Sequence, residues 1–301
     1  MTIKLNDKMH FPMTQEEIFE IPPPDRIFIF WHTPNTIPKP EISIGFGYIH
    51  LCIETFHKTN PNKHLFFLNH YNIGKLLDFH MDWARFRRIP LSMQCDMLQM
   101  AFLLKYGGIF LDADTVFTGN IDWLTSYGDT VVTMGSYEAI CEEGMRPFVN
   151  FGFFATPKPS NCLLGYGLTM QKITLANVPK TGKVDLPWNA FGDLVFWKLV
   201  DIFRDPKDIV LIERTEFFPD VVLYYEKTGK ASGPSPNIYV PFYFSNEHDI
   251  SADDIISKAP YNMILLYNGW TPEPIKKMTR DEFLAQDFPL TKVFKRILEI
   301  G

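Results

Sequence analysis

The sequence has 301 residues, of which 46% are hydrophobic and 21% are charged. These proportions are typical of a globular protein with a sizeable core and exclude an intrinsically disordered chain. The formal net charge of −6 argues against a nucleic-acid-binding protein, because electrostatic binding to phosphates needs a basic surface.

Four cysteines are scattered along the chain, at positions 52, 95, 141 and 162. They form no Cys-x-x-Cys pair and no Cys/His cluster, so we expect neither a disulfide framework nor a zinc site. The N-terminus has no signal-peptide pattern, and no segment reaches the roughly 18 uninterrupted apolar residues of a membrane span. These features predict a cytoplasmic protein with no signal peptide and no transmembrane segment.

The N-terminal part of the chain alternates between strand-like and helix-like segments. Residues 1–25 are polar and end in consecutive prolines, which is typical of an arm that leads into a domain. The almost wholly apolar run 26–31 predicts a buried strand. A helix is predicted over 42–58, followed by a turn and a second strand within 60–69.

A helix, a strand and an acidic pair follow one another near the middle of the chain. Residues 96–106 keep the i, i+3, i+4 apolar spacing of a buried helix, and the glycines at 107 and 108 are a typical helix stop. The apolar run 109–111 predicts a short buried strand. That strand ends in Asp112-Ala113-Asp114, so two carboxylates lie where a strand runs out into a loop.

Two carboxylates in such a place are costly unless a cation compensates them. Hard divalent ions such as Mg²⁺ and Mn²⁺ take carboxylate oxygens and share their other positions with water and substrate phosphates. Asp96 precedes the pair by one helix and one turn, so the helix could return it to the same edge. The alternative is two solvated loop aspartates with Asp96 as a helix N-cap. The assembly of helix, glycine pair, strand and acidic pair favours the metal site.

The second half of the chain continues this alternation. Further strands are predicted at 130–134, 148–157, 209–213, 237–244 and 263–270, with a helical segment after Pro159 up to about residue 175. Residues 272–301 predict a charged amphipathic helical tail. Because no repeat, linker or composition break is found, the sequence predicts a single α/β domain over 1–301.

Residues 92–119 resemble the core of the Asp-Xaa-Asp glycosyltransferases of the GT-A type. The group they resemble contains capsular-polysaccharide-synthesis and yeast mannosyltransferase-like enzymes, α-1,4-galactosyltransferases and glucosylating bacterial toxins. The resemblance implies the GT-A nucleotide-sugar-binding fold, with a mixed central sheet flanked by helices. It also implies that Asp112 and Asp114 hold a divalent metal and the donor ribose, and that Asp96 contacts the donor sugar. Gln99 stands where the family has an arginine that contacts the donor.

The resemblance implies three further contacts outside this core. Trp31, at the end of the first strand, would border the nucleotide base. Asn150 would lie near the donor or acceptor sugar, and Trp270 would close over the diphosphate.

The last strand of the family supplies the remaining metal contact through a histidine, which Leu265 replaces here. Asn268 is our replacement candidate, because its side-chain oxygen can coordinate a hard cation. His248 is a weaker candidate and more typical of a solvated loop. Asp193 falls in the loop 187–193, which resembles a family loop before a helix, although a helix N-cap is the better explanation of this residue.

The resemblance implies a metal-dependent, retaining glycosyltransferase with Mn²⁺ or Mg²⁺ as cofactor. Such an enzyme would move a hexose from a nucleoside diphosphate sugar, with a UDP-sugar as the first expectation and a GDP-sugar as the second. Its acceptor would be a glycan or a lipid-linked oligosaccharide, as in polysaccharide biosynthesis. A lipid-linked acceptor would be compatible with peripheral membrane association.

Two alternatives remain open at this point. A phosphatase of the haloacid dehalogenase type also places Asp-Xaa-Asp after an apolar strand, but that motif normally opens its domain, and no convincing downstream lysine with an acidic pair is found. A glycosyltransferase-like protein that binds a nucleotide or glycan without turnover is the second alternative. Its only support is Gln99 and Leu265, and the intact acidic pair argues against it.

Overall fold

A computed structural model describes residues 2–4, 7–31, 41–43, 46–78, 80–139, 145–200, 209–230, 232–246 and 249–300. The strands are β1 (Thr2–Lys4), β2 (Met9–His10), β3 (Arg26–Phe30), β4 (Glu41–Ser43), β5 (His64–Leu68), β6 (Gly108–Leu111), β7 (Thr115–Phe117), β8 (Val131–Ala139), β9 (Met145–Thr156), β10 (Ile209–Glu213) and β11 (Met263–Leu265). The helices are α1 (Glu16–Phe19), α2 (Gly47–Thr59), α3 (Ile73–Leu76), α4 (Trp83–Phe86), α5 (Leu91–Tyr106), α6 (Cys162–Ala176), α7 (Asp193–Val200), α8 (Pro219–Thr228), α9 (Pro236–Phe244), α10 (Ala252–Ser257), α11 (Glu273–Lys276), α12 (Arg280–Leu284) and α13 (Pro289–Leu298).

Seven of these strands form one mixed sheet in the order β10-β8-β9-β6-β3-β5-β2. Six of them run in the same direction, and β9 is antiparallel to both of its neighbours, β8 and β6. Helices flank this sheet, so the predicted α/β architecture with a mixed central sheet is confirmed. Two small antiparallel pairs, β1 with β4 and β7 with β11, lie outside the main sheet.

The buried strands divide the core into two layers. Along β3, Ile27 and Ile29 belong to one buried cluster, whereas Phe28 and Phe30 belong to the other. The same alternation holds in β5 and β6, because successive side chains of a strand point to opposite faces. Helix α5 lies in the second layer and buries most of its circumference, so its apolar residues are not confined to one stripe.

The link from α5 to β6 depends on two glycines with positive φ. Gly107 ends the helix at φ 63°, and Gly108 follows at φ 102°. A Cβ on Gly108 would lie 2.7 Å from the carbonyl oxygen of Arg26, on the neighbouring strand. A side chain is therefore excluded both by conformation and by space. This tight connection lets β6 begin directly after the helix, and Asp112 follows at the carboxyl end of that central strand.

Four predicted elements differ in the structure. The predicted strand 263–270 ends at Leu265, and the residues that follow it form a loop. The run 237–244 is the helix α9 rather than a strand, since a short apolar run does not distinguish the two by period alone. Ser235 caps this helix by accepting a hydrogen bond from the Asn237 N–H. The tail 272–301 contains three helices, because Thr279 starts a new helix within it through a capping box. Residues 1–25, predicted to be an arm that leads into the domain, contain the strand β2, which pairs with β5 of the main sheet.

Candidate functional site

The acidic pair lies in a tight turn between β6 and β7. The Asp112 N–H donates to the Gly152 carbonyl of the adjacent strand at 2.9 Å, and the Thr115 hydroxyl donates to the Asp112 carbonyl at 2.8 Å. The Leu266 N–H donates to the Asp114 carbonyl at 3.1 Å. These bonds hold the backbone between a central strand and the β7–β11 pair, so both carboxylates project from a fixed support.

Asp96 faces the same site from α5, which begins at Leu91, so Asp96 lies in the second turn and is not the N-cap. Its Oδ2 atom lies 3.3 Å from the point where a Cβ on Gly192 would stand. The Gln171 amide donates to the Asp96 carbonyl at 3.1 Å. The missing side chain at Gly192 therefore leaves the Asp96 carboxylate open to the cavity described below.

The three carboxylates share an electrostatic environment that disfavours their charged forms. Burial raises the pKa of Asp112, and the carboxylates of Asp114 and Asp96 raise it further. Burial also raises the pKa of Asp96, with a contribution from Asp193. Burial raises the pKa of Asp114 to about 6, although the hydrogen bond from the Asn268 N–H lowers it. A cation at this site would relieve all three costs.

Asp112 and Asp114 fit a hard divalent cation by the chemistry of their donors, because both offer carboxylate oxygens and neither forms an ion pair among the described residues. Within the described part of the chain, no group of three or more His, Cys, Asp and Glu residues has the geometry of a metal site. The pair fits a Mg²⁺ or Mn²⁺ that completes its coordination with waters and substrate phosphates.

The loop after β11 connects the acidic pair to two aromatic residues. The Asn268 N–H donates to Asp114 Oδ2 at 2.8 Å, and its side-chain oxygen accepts a hydrogen bond from the Tyr48 hydroxyl. Asn268 therefore lies beside Asp114, but its oxygen already has a partner. Leu265 is buried and pairs with Thr115 across the two strands. Trp270 packs on Tyr267 with ring centroids 4.0 Å apart, and both rings face the cavity.

A cavity of about 420 Å³ opens beside Asp112 and collects residues that are distant in the sequence. Its lining consists of Ser92, Cys95, Asp96, Asp112, Val149, Phe151, Trp188, Asn189, Gly192, Asp193, Arg214, Pro234, Tyr267 and Trp270. Its volume falls in the range of small-molecule sites, and convergent polar groups on an apolar lining are typical of a ligand pocket. The structure therefore brings Asp96, Asp112 and Trp270 together in one cavity.

The remaining predicted residues lie elsewhere or are less accessible. Gln99 is fully buried, and its amide donates to the Phe151 carbonyl at 2.5 Å. Trp31 is half-buried at the end of β3, where its ring packs edge-on against Phe46 and does not line the cavity. Asn150 belongs to β9, and only its backbone is described, opposite Met134.

Two weaker candidates have different outcomes. His248 lies outside the described residues. Asp193 is the first residue of α7, and its carboxylate accepts a hydrogen bond from the Val149 N–H at 3.2 Å. It lines the cavity although it is nearly fully buried, so it combines a structural role with a place in the site.

Several cavity residues were missed by sequence reasoning. Arg214 and Tyr267 were not singled out by any motif, and they reach the cavity only because the chain folds their segments onto one side of the molecule. Cys95 lies within the core motif, with its Sγ 3.7 Å from Asp112 Oδ1. Burial, together with the nearby carboxylates, raises the pKa of this thiol, so it stays neutral. The one available signal was the loop 187–193, which the resemblance had singled out.

In the described part of the chain, no helix is both long and apolar enough to cross a bilayer. The described cysteines, at positions 52, 95 and 162, are free thiols.

Residues 48–130 match the sequence model of the family described as "Glycosyltransferase sugar-binding region containing DXD motif". A search of curated proteins finds no match to this chain. The matched stretch contains all three of Asp96, Asp112 and Asp114, together with the helix and strand that hold them.

The chain is also similar to solved structures, all at low identity. One is the PaToxG glycosyltransferase, at 12% identity over 93% of this chain and 88% of that chain, with a TM-score of 0.38. Another is the glycosyltransferase GlyE of Streptococcus pneumoniae TIGR4, at 12% identity over 92% and 62%, with a TM-score of 0.43. A third is a glycosyltransferase involved in the glycosylation of the major capsid of PBCV-1, at 16% identity over 69% and 91%, with a TM-score of 0.33. The resemblance to DXD-containing glycosyltransferases that the sequence predicted is confirmed, on the family match, for residues 48–130.

Proposed function

We propose that this protein is a metal-dependent, retaining glycosyltransferase that moves a hexose from a nucleoside diphosphate sugar to a hydroxyl of an acceptor. A UDP-sugar is the first candidate for the donor and a GDP-sugar the second. The observation that carries the proposal is the turn Asp112-Ala113-Asp114, which follows a central strand and places Asp112, together with Asp96, on the wall of a cavity of about 420 Å³. Ligands of open α/β sheets collect at the carboxyl ends of the strands, which is where this turn lies.

In this proposal Asp112 and Asp114 hold Mn²⁺ or Mg²⁺. When bound, such an ion supplies Lewis-acid stabilisation of the negative charge that develops on the leaving diphosphate. The backbone bonds of the turn keep the two carboxylates in place, so little reorganisation is needed when the donor binds. Asn268 assists by holding Asp114 through its N–H group, and its own side chain is fixed by Tyr48.

The donor sugar would lie between Asp96 and the aromatic wall of Trp270. Asp96 accepts hydrogen bonds from sugar hydroxyls in this proposal, and Gly192 leaves the space that the sugar needs. Trp270 packs over Tyr267 and would cover the diphosphate side of the cavity, excluding water. Trp31 keeps its proposed place near the base and Asn150 near the transferred sugar. Gln99 is proposed to act through packing rather than through a direct donor contact, because it is fully buried.

The acceptor would enter past Trp188 and Asn189, which line the cavity. Trp188 is 72% exposed, an unusual degree for the largest apolar side chain, and an exposed aromatic face offers a platform for a pyranose ring. A glycan or a lipid-linked oligosaccharide fits this entrance. We place the enzyme in the cytoplasm, where free cysteines are stable, with peripheral membrane association if the acceptor is lipid-linked.

The experiment is a thermal-shift screen of UDP- and GDP-sugars, each with and without Mn²⁺. Binding to the native state raises the Tm by mass action, so no acceptor is needed. We expect a rise of several degrees that requires both the metal and one nucleotide sugar. Asp114→Asn should abolish the metal-dependent part of that rise, because it removes a charged oxygen ligand.

The matched control is Asp249→Asn, which removes the same charge from an exposed position. This variant should respond as the wild type does. A metal-dependent shift or turnover that survives Asp114→Asn would disprove the assigned site. A well-folded wild type that responds to no nucleotide sugar would overturn the proposed function. Donor binding without donor hydrolysis or transfer to any acceptor would favour the inactive binder.

A further inference from the structure

The cavity is lined by more negatively charged side chains than positively charged ones. Three carboxylates, those of Asp96, Asp112 and Asp193, face it, and among the described residues that line it Arg214 is the one cation. A nucleoside diphosphate carries further negative charge into this space, so a divalent cation at the acidic pair balances only part of the total. The cavity therefore needs a positive group at the place where the phosphates lie.

Arg214 reaches the cavity from the same edge of the sheet as Asp112. It directly follows β10 and starts the short 3-10 helix Arg214–Phe217, just as Asp112 directly follows β6. β10 is parallel to β8, and both β8 and β6 are antiparallel to β9, so β10 and β6 run in the same direction. Two residues that follow strands of the same direction meet at one edge, where such sheets bind ligands.

The loop after β11 contacts Asp114 and lines the cavity together with Arg214. Tyr267, in this loop, lines the same cavity as Arg214. Tyr267 is stacked on Phe218 with centroids 4.9 Å apart, which fixes its position. The next residue in the chain, Asn268, holds the Asp114 carboxylate at 2.8 Å. Neighbouring residues of one loop thus border the cavity that the guanidinium lines and hold the acidic pair in place.

The helix α5 supplies no cation that could do this instead. Gln99 is fully buried and uses its amide on the Phe151 carbonyl, and Lys105, near the C-terminus of the helix, pairs with Asp78 at 2.9 Å. Arg85 and Arg88, which precede the helix, donate to the carbonyls of Val178 and Lys180. These side chains are occupied outside the cavity.

We propose that Arg214 binds the diphosphate of the nucleotide sugar, on the side away from the acidic pair, and holds the leaving phosphate while the glycosidic bond breaks. This inference rests on the proposed function and names the group that would recognise the donor's charge. A guanidinium suits the task because its planar fork donates two hydrogen bonds to a phosphate and stays charged at all working pH values. A Cβ added at Gly233 would stand 3.8 Å from the Arg214 Nη2 atom, so the guanidinium lies next to the segment that contains Gly233.

The test is isothermal titration calorimetry of the full chain with UDP and GDP in the presence of Mn²⁺. Arg214→Gln should weaken the binding of the preferred diphosphate by about 10- to 100-fold, which is the range for a charge-assisted hydrogen bond. Arg214→Lys should lie between Arg214→Gln and the wild type, because it keeps the charge and loses the fork. The affinity for the matching nucleoside, measured by competition, should stay within about twofold, since a nucleoside has no phosphate.

The control is Arg296→Gln, which removes an equal charge from an exposed residue paired with Asp253. An Arg214→Gln variant that binds the diphosphate as Arg296→Gln does would overturn the inference and leave the proposed function standing. An equal loss of nucleoside and diphosphate affinity would also overturn it, because it would indicate a structural role. Unchanged diphosphate affinity with a raised KM for an anionic acceptor would assign Arg214 to the acceptor instead. A wild type that binds neither diphosphate would refute the proposed function itself.

Discussion

Gln99 occupies a motif position at which the family contacts the donor, but its environment in this structure does not fit that role. The resemblance places it at a donor contact, but its side chain is fully buried, and its amide donates to the Phe151 carbonyl. Its other polar atom, Oε1, has no hydrogen-bond partner among the described residues. A residue with this environment stabilises the junction between α5 and β9 and does not reach into the cavity.

We therefore expect Gln99→Leu to leave the Kd for the nucleotide sugar within about twofold of the wild-type value, since no substrate contact is removed. The variant loses one hydrogen bond but also removes the unpaired Oε1, so the free energy of unfolding should change by no more than about 1 kcal/mol. Calorimetry and urea unfolding measure the two quantities. A tenfold loss of donor affinity without a loss of stability would contradict this prediction and restore Gln99 as a donor contact.

Sequence reasoning can predict that side chains lie close together where one short stretch of the chain contains all of them. Asp96, Asp112 and Asp114 are joined by one helix, one glycine pair and one strand, so their meeting follows from local structure. Arg214 and Tyr267 reach the same cavity through separate elements, and no spacing in the sequence encodes that contact. Their roles could be inferred only after the order of the strands was known.

Among the elements, the connection between α5 and β6 tolerates the least change. Gly108 has a φ of 102°, and an added Cβ would lie 2.7 Å from the Arg26 carbonyl oxygen. Both features must be relieved by moving the backbone that leads to Asp112. We expect Gly108→Ala to lower the free energy of unfolding by about 3 kcal/mol or more, from the sum of overpacking and an unfavourable φ.

The matched control is Gly74→Ala in α3, where an added Cβ meets no atom within 4 Å. This change should stabilise the protein by about 0.5 to 1 kcal/mol, because alanine is the better helix former and restricts the unfolded chain. Urea unfolding of both variants checks the pair. If Gly108→Ala proves as stable as Gly74→Ala, the strained connection described here is wrong.

The elements that sequence reasoning misassigned share a physical cause. The run 237–244 is continuously apolar, and such a run fits a buried strand or a buried helix until its partners are known. In the tail, the capping box of Thr279 and Glu282 starts a new helix, which the amphipathic pattern of 272–301 alone does not reveal. Local start signals deserve more weight than periodicity when both occur.

At the scale of the whole molecule, the site is a product of sheet order. In a wholly parallel sheet, the strand on this side of Asp112 would be parallel to β6. Here the antiparallel β9 lies between β6 and β8, and its Gly152 carbonyl accepts a hydrogen bond from the Asp112 N–H. The loops after β6, β10 and β11 then enclose one cavity. Contacts of this long range are the part of the fold that hydrophobic patterning cannot specify.

A buried carboxylate that does not line the cavity makes global stability depend on pH. Asp220, at the start of α8, is fully buried, and no described side chain hydrogen-bonds either of its oxygens. Burial raises its pKa to about 7, although nearby backbone N–H groups lower it somewhat. Tyr243, which lies close enough for this charge to raise its own pKa, is also fully buried.

The sign of the pH dependence follows from this raised pKa. Below the unfolded pKa of about 3.9, Asp220 is protonated in both states, and its burial costs least. Between that value and about 7 the unfolded state loses its proton while the folded state keeps it, so the contribution to stability falls as pH rises. A difference of about three pKa units corresponds to roughly 4 kcal/mol, and the loss is complete above pH 7.

Asp220→Asn removes this titration while nearly preserving the size of the side chain. The variant should therefore become more stable than the wild type as pH rises from about 4 to 8, by up to about 4 kcal/mol, less the cost of burying an amide. Urea unfolding at several pH values measures the difference between the two proteins, which cancels the titration of groups they share. A difference that stays constant between pH 4 and 8 would mean that Asp220 has the same pKa in the folded and unfolded states, and it would contradict this prediction.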